Sequence, residues 1–315
     1  MSPCPVMTDP LPQSFVDLLG DQVELHPWTT DPESDTLRRC RGIICYSHPA
    51  VDGPLLDAMP ELRVVSNHGV GVDHIDVAAA VSRGIPVGNT PGCLDASTAD
   101  MTLALLLAAA RNVRIGDRYA RSPEFVHYDP SILIGHEVTG STLGIVGLGR
   151  IGREVARRAA AFNMRLLYHN RRPDPEAEAA LGVEYCSLEE LLRQSDFVSL
   201  NCPLTEETTG LISGPQLKLM RSSALLINMA RGPVVDHAAL VEALTSGTIA
   251  GAALDVTDPE PLPRDHPLLS LENVLITPHL GSASDRTRRR MMEMTAENLQ
   301  AGLSGRALPW QVMTN

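Results

Sequence analysis

The sequence predicts an α/β protein built from two doubly wound parallel sheets, and three observations carry that expectation. Short apolar runs alternate with helical segments along most of the chain, which is the pattern of βα units stacked into parallel sheets. One such run, from Thr142 to Val146, leads directly into Gly147-Leu-Gly149-Arg150-Ile151-Gly152 and then into a helical pattern over 153–161. The chain has 315 residues, more than one hydrophobic core usually supports, so two domains are expected.

In the first hundred residues, 42–46, 62–66 and 85–87 read as strands. The stretch 97–113 is strongly helical with no breaker inside it and reads as a helix linking the domains. Periodicity is then lost over 116–140, where charged and aromatic residues gather. This is an excursion that packs on another subunit or lines a cleft. Beyond the glycine turn, strands are expected at 165–168, 197–200, 225–228, 251–254 and 274–276. A last helix over 284–303 lies past the final strand and would cross back to complete the first domain. The expected division is therefore a discontinuous substrate domain, 1–110 plus 285–315, and a dinucleotide-binding domain, 111–284, with a cleft between them. Gly69-Val-Gly71-Val-Asp73-His74, also following a strand, is a weak echo of the glycine turn and suits two related domains.

The glycine turn has a specific physical reading. Gly147 permits a tight turn, Gly149 lets backbone approach a pyrophosphate, and Gly152 allows helix to pack closely on strand. A pyrophosphate would rest on the free N–H groups at the helix N-terminus, beside Arg150 and Ile151. The plainer alternative is an ordinary tight βα turn. In this Rossmann-like arrangement an acidic residue about 20 positions on would bind the ribose 2′-hydroxyl of NAD. The matching position is Asn170, followed by Arg171 and Arg172, so no carboxylate repels a 2′-phosphate and two guanidiniums can pair with one. NADPH is expected over NADH, with NADH still possible; the alternative is that both arginines face solvent.

A net charge of −12 argues against nucleic acid or an anionic membrane surface as partner. The arginines of 286–290 then read as a solvated helix face. The longest apolar run, 103–110, is far short of a membrane span, and 1–20 lacks the pattern of a secretory signal. Cys4, Cys40, Cys45, Cys93, Cys186 and Cys202 are scattered without Cys-x-x-Cys spacing, as expected of reduced thiols in a cytoplasmic protein and not of disulfides or a metal site.

Four motifs point further: Gly147-Leu-Gly-Arg-Ile-Gly152; Asn228-Met-Ala-Arg231-Gly-Pro-Val-Val-Asp236; Ala253-Leu-Asp255-Val-Thr-Asp-Pro-Glu260-Pro-Leu-Pro263; and Thr277-Pro-His279-Leu-Gly-Ser-Ala-Ser284. In this order they resemble the D-isomer-specific 2-hydroxyacid dehydrogenases, and within them the glyoxylate/hydroxypyruvate reductases, over about 42–309. Arg231, Glu260 and His279 each fall just beyond an expected strand, where open α/β sheets bind ligands. Reducing a 2-oxo acid requires hydride at the carbonyl carbon and a proton at its oxygen. His279 suits the proton donor, Glu260 would keep it protonated and oriented, and Arg231 offers a planar fork for a substrate carboxylate. Singly, His279 reads equally as a structural loop histidine, and Glu260 and Arg231 as surface charges; their order on strand ends points to catalysis.

The resemblance also implies that Asp255 lies near the nicotinamide, with a turn cap as its alternative. Pro203 joins the cofactor-binding set. Val70 and Gly71 would grip the substrate through N–H groups. Thr98 would contact cofactor phosphate or carboxamide, or else cap the linking helix. Two departures stand out: 94–98 is Leu-Asp-Ala-Ser-Thr where the family usually has Leu-Thr-Asp-Ala-Thr, and 116–140 lacks the tryptophan of related hydroxypyruvate reductases, with His127, Tyr128 and Ile132 in its neighbourhood. The implied activity is NADPH-dependent reduction of hydroxypyruvate to D-glycerate and glyoxylate to glycolate by a homodimer. A larger 2-oxo acid such as 2-ketogluconate is one alternative. A dinucleotide-sensing binding protein like the C-terminal-binding-protein corepressors is another. Formate dehydrogenase is disfavoured because it carries Gln where this chain has Glu260.

Overall fold

The computed structural model describes residues 3–31 and 33–313, which form two compact units. The first runs to Leu94 and resumes at Ser284; the second is Asp95–Ala283.

The first unit is a five-stranded parallel sheet of β1 (Cys4–Thr8), β2 (Val23–Pro27), β3 (Gly42–Cys45), β4 (Val64–Asn67) and β5 (Val87–Gly88), in the order β2-β1-β3-β4-β5. Successive side chains leave opposite faces of a strand, so Met7, Ile43 and Val65 enter one core while Val6, Ile44 and Val64 enter another. The second face is covered by the helix Asp285–Leu303 through Ala296 and Leu299. Helix and sheet approach closely because both sides are bare: a Cβ on Gly302 would lie 2.4 Å from Val64 Cβ, and one on Gly42 would lie 2.8 Å from Leu299 Cδ1. The last helix of the chain thus packs on the first unit's sheet. Strands β1 and β2 are additions to the three expected there. Pro5 inside β1 and the charged, half-exposed pattern of β2 hide both from a search for apolar runs.

The second unit is a seven-stranded parallel sheet of β6 (Thr142–Val146), β7 (Arg165–His169), β8 (Glu184–Tyr185), β9 (Phe197–Leu200), β10 (Leu225–Asn228), β11 (Gly251–Leu254) and β12 (Val274–Ile276). Its order is β12-β11-β10-β9-β6-β7-β8, so the chain winds outward in both directions from the β6/β9 pair. That pair is the topological switch point, the place where an open α/β sheet leaves a crevice beyond its strand ends.

The helix Asp95–Ala110 corrects the expected boundary at 110. Its Ala99, Leu103, Leu106 and Ala110 are buried with Leu143, Ile145, Val155 and Ile227 of the second sheet and its helix Arg150–Ala160. The division consequently falls before this helix, after Leu94, and not behind it. After the helix Val113–Ala120, residues 121–141 contain no helix or strand, and Phe125, Val126, Tyr128 and Ile134 stand exposed there. Among the described residues no helix is long and apolar enough to cross a membrane, and no cluster of side chains suits a metal ion.

Candidate functional site

At the switch point, sterics dictate the glycine turn. Gly147 has φ 96° and lies so close to the end of β9 that a Cβ would sit 2.6 Å from Cys202 N. A Cβ on Gly152 would lie 2.2 Å from Gly147 O, so the helix Arg150–Ala160 could not pack on the turn with any larger residue there. Gly149 differs: a Cβ on it meets nothing within 4 Å, leaving open space beside the backbone. Gly149 is also the N-cap and supplies no side-chain cap, so the N–H groups of the first helical turn, at Arg150, Ile151 and Gly152, have neither an intrahelical nor a side-chain acceptor. Open space, uncapped N–H groups and the positive end of a helix fit a dinucleotide pyrophosphate.

Asn170 follows β7, and its Oδ1 accepts the Leu148 N–H at 2.7 Å, tying the end of β7 to the glycine turn. Arg171 and Arg172, next in the chain, are exposed. Arg171 lies near enough to Glu207 to help hold that carboxyl below its usual range, after the bond Glu207 receives from Thr205. Pro203 follows β9, and its carbonyl accepts the Thr208 hydroxyl at 2.7 Å. All these residues sit around the β6/β9 switch and the neighbouring β7 end.

Three other strand ends of the same sheet carry the candidate catalytic side chains. Arg231 follows β10, where buried Asn228 fixes the turn: its Nδ2 donates to Arg231 O at 2.9 Å and its Oδ1 accepts Ala230 N at 3.0 Å. Glu260 lies on the loop after β11, and His279 on the loop after β12. The structure brings these last two together, with His279 Nδ1 2.8 Å from Glu260 Oε1. A carboxylate only accepts, so Nδ1 carries the hydrogen in this contact. Glu260 is itself steadied through Oε2, 3.4 Å from Thr257 N.

His279 adopts φ 55°, unusual for a bulky residue and costing on the order of 1 kcal/mol. Asp255 explains how it is held. This buried carboxylate accepts Thr277 Oγ1 at 2.6 Å and Leu280 N at 2.7 Å on one oxygen, and Gly281 N at 2.7 Å on the other. Its carbonyl takes His279 N at 2.9 Å. Asp255 thus clamps the 277–281 loop from both sides, the turn-capping role weighed as its alternative. Thr98 is buried beside the same loop: a Cβ on Gly281 would lie 3.3 Å from both Thr98 Cγ2 and Asp255 Oδ2.

Sequence reasoning missed Asn228, Thr257 and Gly232. A Cβ on Gly232 would lie 2.0 Å from Thr257 O, so only glycine lets the Arg231 turn pass the Glu260 loop. The available signal was an asparagine ending a wholly apolar strand, a polar group that burial obliges to find partners. In the first unit, Val70 and Gly71 lie on the loop after β4.

Residues 103–281 match the family described as D-isomer specific 2-hydroxyacid dehydrogenase, NAD binding domain. A glyoxylate reductase of Korarchaeum cryptofilum is 48% identical over 98% of this chain and 95% of its own length. A crystal structure of a protein from Thermus thermophilus superposes with a TM-score of 0.89 at 46% identity, covering 98% of this chain and 100% of that one. The NADPH-dependent glyoxylate/hydroxypyruvate reductase of Sinorhizobium meliloti, solved with NADP and malonate, superposes at 0.90 with 34% identity over 99% and 97% of the two chains.

Proposed function

The chain belongs to the D-isomer-specific 2-hydroxyacid dehydrogenases, NAD(P)-dependent oxidoreductases, and from that premise we propose that it reduces glyoxylate to glycolate and hydroxypyruvate to D-glycerate with NADPH as the preferred donor. The reading rests above all on the 2.8 Å contact between His279 Nδ1 and Glu260 Oε1. When bound, the nicotinamide supplies hydride to the substrate's carbonyl carbon. The chain supplies the rest. Arg231 pairs its planar guanidinium with the substrate carboxylate and polarises the neighbouring carbonyl oxygen. The N–H groups of Val70 and Gly71 take part in gripping that carboxylate. His279 delivers the proton to the nascent alkoxide from Nε2, while Glu260 balances the imidazolium charge and fixes the ring. Asp255 holds the His279 loop in its left-handed turn.

For the dinucleotide, Gly147, Gly149, Arg150, Ile151 and Gly152 hold the pyrophosphate. Pro203 and Thr98 would join in holding it, and Arg171 and Arg172 would pair with a 2′-phosphate. Asn170 leaves no carboxylate at that position, and the Sinorhizobium relative, NADPH-dependent by description, is compatible with this choice. The exposed apolar side chains of 121–141 are the surface proposed to bury against a second copy of the chain, as a homodimer.

The test is initial-rate reduction of hydroxypyruvate, glyoxylate and 2-ketogluconate with NADPH and with NADH. NADPH-linked turnover of the first two is expected, and His279→Gln should lower kcat by about 10²–10⁴-fold with dinucleotide affinity unchanged. Turnover of 2-ketogluconate alone would move the assignment to larger 2-oxo acids. Tight dinucleotide binding without turnover of any of the three would overturn the reading in favour of a dinucleotide-sensing binding protein.

A further inference from the structure

Between β4 and the helix Val77–Ser82, the chain passes through Gly69-Val70-Gly71 without regular structure, yet three successive carbonyls there are all bonded. Gly69 O accepts from Thr90 N at 3.1 Å and from Asn67 Nδ2 at 3.1 Å. Val70 O accepts from Asn89 Nδ2 at 2.9 Å, and Gly71 O from Asn67 Nδ2 at 2.8 Å. The N–H groups of Val70 and Gly71 donate to no atom among the described residues. These facts are linked. The carbonyl of Gly69 and the N–H of Val70 share one planar trans peptide and point in opposite directions, as do the carbonyl of Val70 and the N–H of Gly71. Pulling the carbonyls inward turns the donors outward as a neighbouring pair.

Asn67 is the hub of this arrangement. It is fully buried, and its single amide nitrogen bridges the carbonyls at both ends of the tripeptide. Its other end, Oδ1, lies 3.1 Å from His74 Nε2. With the amide nitrogen facing two acceptors, Oδ1 must itself accept, so His74 bears hydrogen on Nε2 and fixes which way the amide points.

We infer that Asn67 is a positioning residue for the substrate carboxylate: it presents the Val70 and Gly71 N–H groups, and His74 sets its orientation. This rests on the reading that those two N–H groups bind the carboxylate. Donors already aimed at an anion need no reorganisation when it arrives, so the effect falls on substrate affinity, while the dinucleotide site in the other unit is untouched.

The experiment uses the full-length protein. Asn67→Leu keeps the volume and removes both donors, and should raise KM for glyoxylate by at least about tenfold, with kcat and NADPH affinity within about twofold of wild type. A merely structural loss would lower the active fraction, and so kcat, at unchanged KM. Should Asn67→Leu fail to fold, the less buried His74 provides the second arm. His74→Leu should raise KM several-fold, and His74→Gln, whose amide nitrogen can stand near the lost Nε2, should recover most of that. Selective ¹⁵N labelling of valine and glycine then separates the two layers of argument with oxalate as the probe. Shifts at Val70 and Gly71 in the wild type, with weaker oxalate affinity in the variants, bear the inference out. The same wild-type shifts with unchanged affinity and KM in the variants overturn the role of Asn67 and leave the carboxylate reading standing. No shift at either amide in the wild type overturns the carboxylate reading and this inference with it.

Discussion

Two loops of this molecule follow a buried parallel strand, both rich in glycine and both presenting N–H groups, yet they are held by different means. The turn at 147–152 in the second unit is a matter of backbone fit: Gly147 and Gly152 have no room for a Cβ, and the donors belong to the start of a helix. In the loop at 68–71 of the first unit, Gly69 has room, since a Cβ there would meet Asn67 Nδ2 only at 3.5 Å. No helix begins until Val77, and side-chain amides do the aiming. Fold-level similarity between two βα units therefore does not imply the same device at the strand end. One loop is exacting about glycine, and the other depends on two asparagines and a histidine.

The sharpest test of that contrast is Gly152→Ala. The added carbon would meet a carbonyl oxygen at 2.2 Å, a backbone atom that cannot swing aside. NADPH affinity by fluorescence titration should fall by roughly a hundredfold or more, with a clear drop in Tm. Retained affinity would show that the turn is more pliable than its packing implies. A smaller effect is expected beside that turn, at the end of β7. Replacing Arg171 and Arg172 together by Ala should raise KM for NADPH by about tenfold and leave that for NADH within about twofold, because a phosphate loses charge-assisted partners that a hydroxyl never had. Equal changes for both cofactors would sink the assignment.

Acid should separate the loops further. His68, which opens the first unit's loop, is buried, with Nε2 unpartnered among the described residues. Burial first, then the nearby Arg288 and His48, pushes its pKa from the ordinary 6.5 down to about 3. Between those values the unfolded chain binds the proton and the folded one does not, so this group removes stability as pH falls through that window and adds no further loss below it. A Tm profile from pH 7 to 3 should be less steep in His68→Phe; an identical slope would remove His68 from the account. The smallest effect is expected from Gly69→Ala, whose Cβ meets only ordinary contacts: Tm and KM should stay close to wild type, and a loss as large as that at Gly152 would erase the contrast.

This difference also separates what could be read in the sequence from what could not. The turn at 147–152 was legible because steric demand writes itself as glycine at fixed spacing after an apolar strand. The strand ends before Arg231, Glu260 and His279 were legible as short apolar runs closed by polar groups. Asn67 was not, because an asparagine closing a buried strand announces that it needs partners but not which carbonyls it reaches, and its partner His74 is seven residues away. The clamp formed by Asp255 needed coordinates for the same reason, its acceptor oxygens meeting groups more than twenty residues on. Strands β1 and β8 escaped notice for local reasons, a proline inside one and two exposed residues making up the other.

The helix Asp285–Leu303 gives the two units different histories during synthesis. Asp95–Ala283 is one uninterrupted stretch and can assemble its seven strands as soon as it has left the ribosome. The five-stranded sheet is made first but finished last: Val6, Ile44 and Val64 wait with one apolar face uncovered until Ala296 and Leu299 emerge from the far end of the chain. The sheet begun earlier is thus the one exposed longer to wrong partners, and a nascent chain that has emerged from the ribosome only as far as Ala283 would hold a complete second unit and an unfinished first.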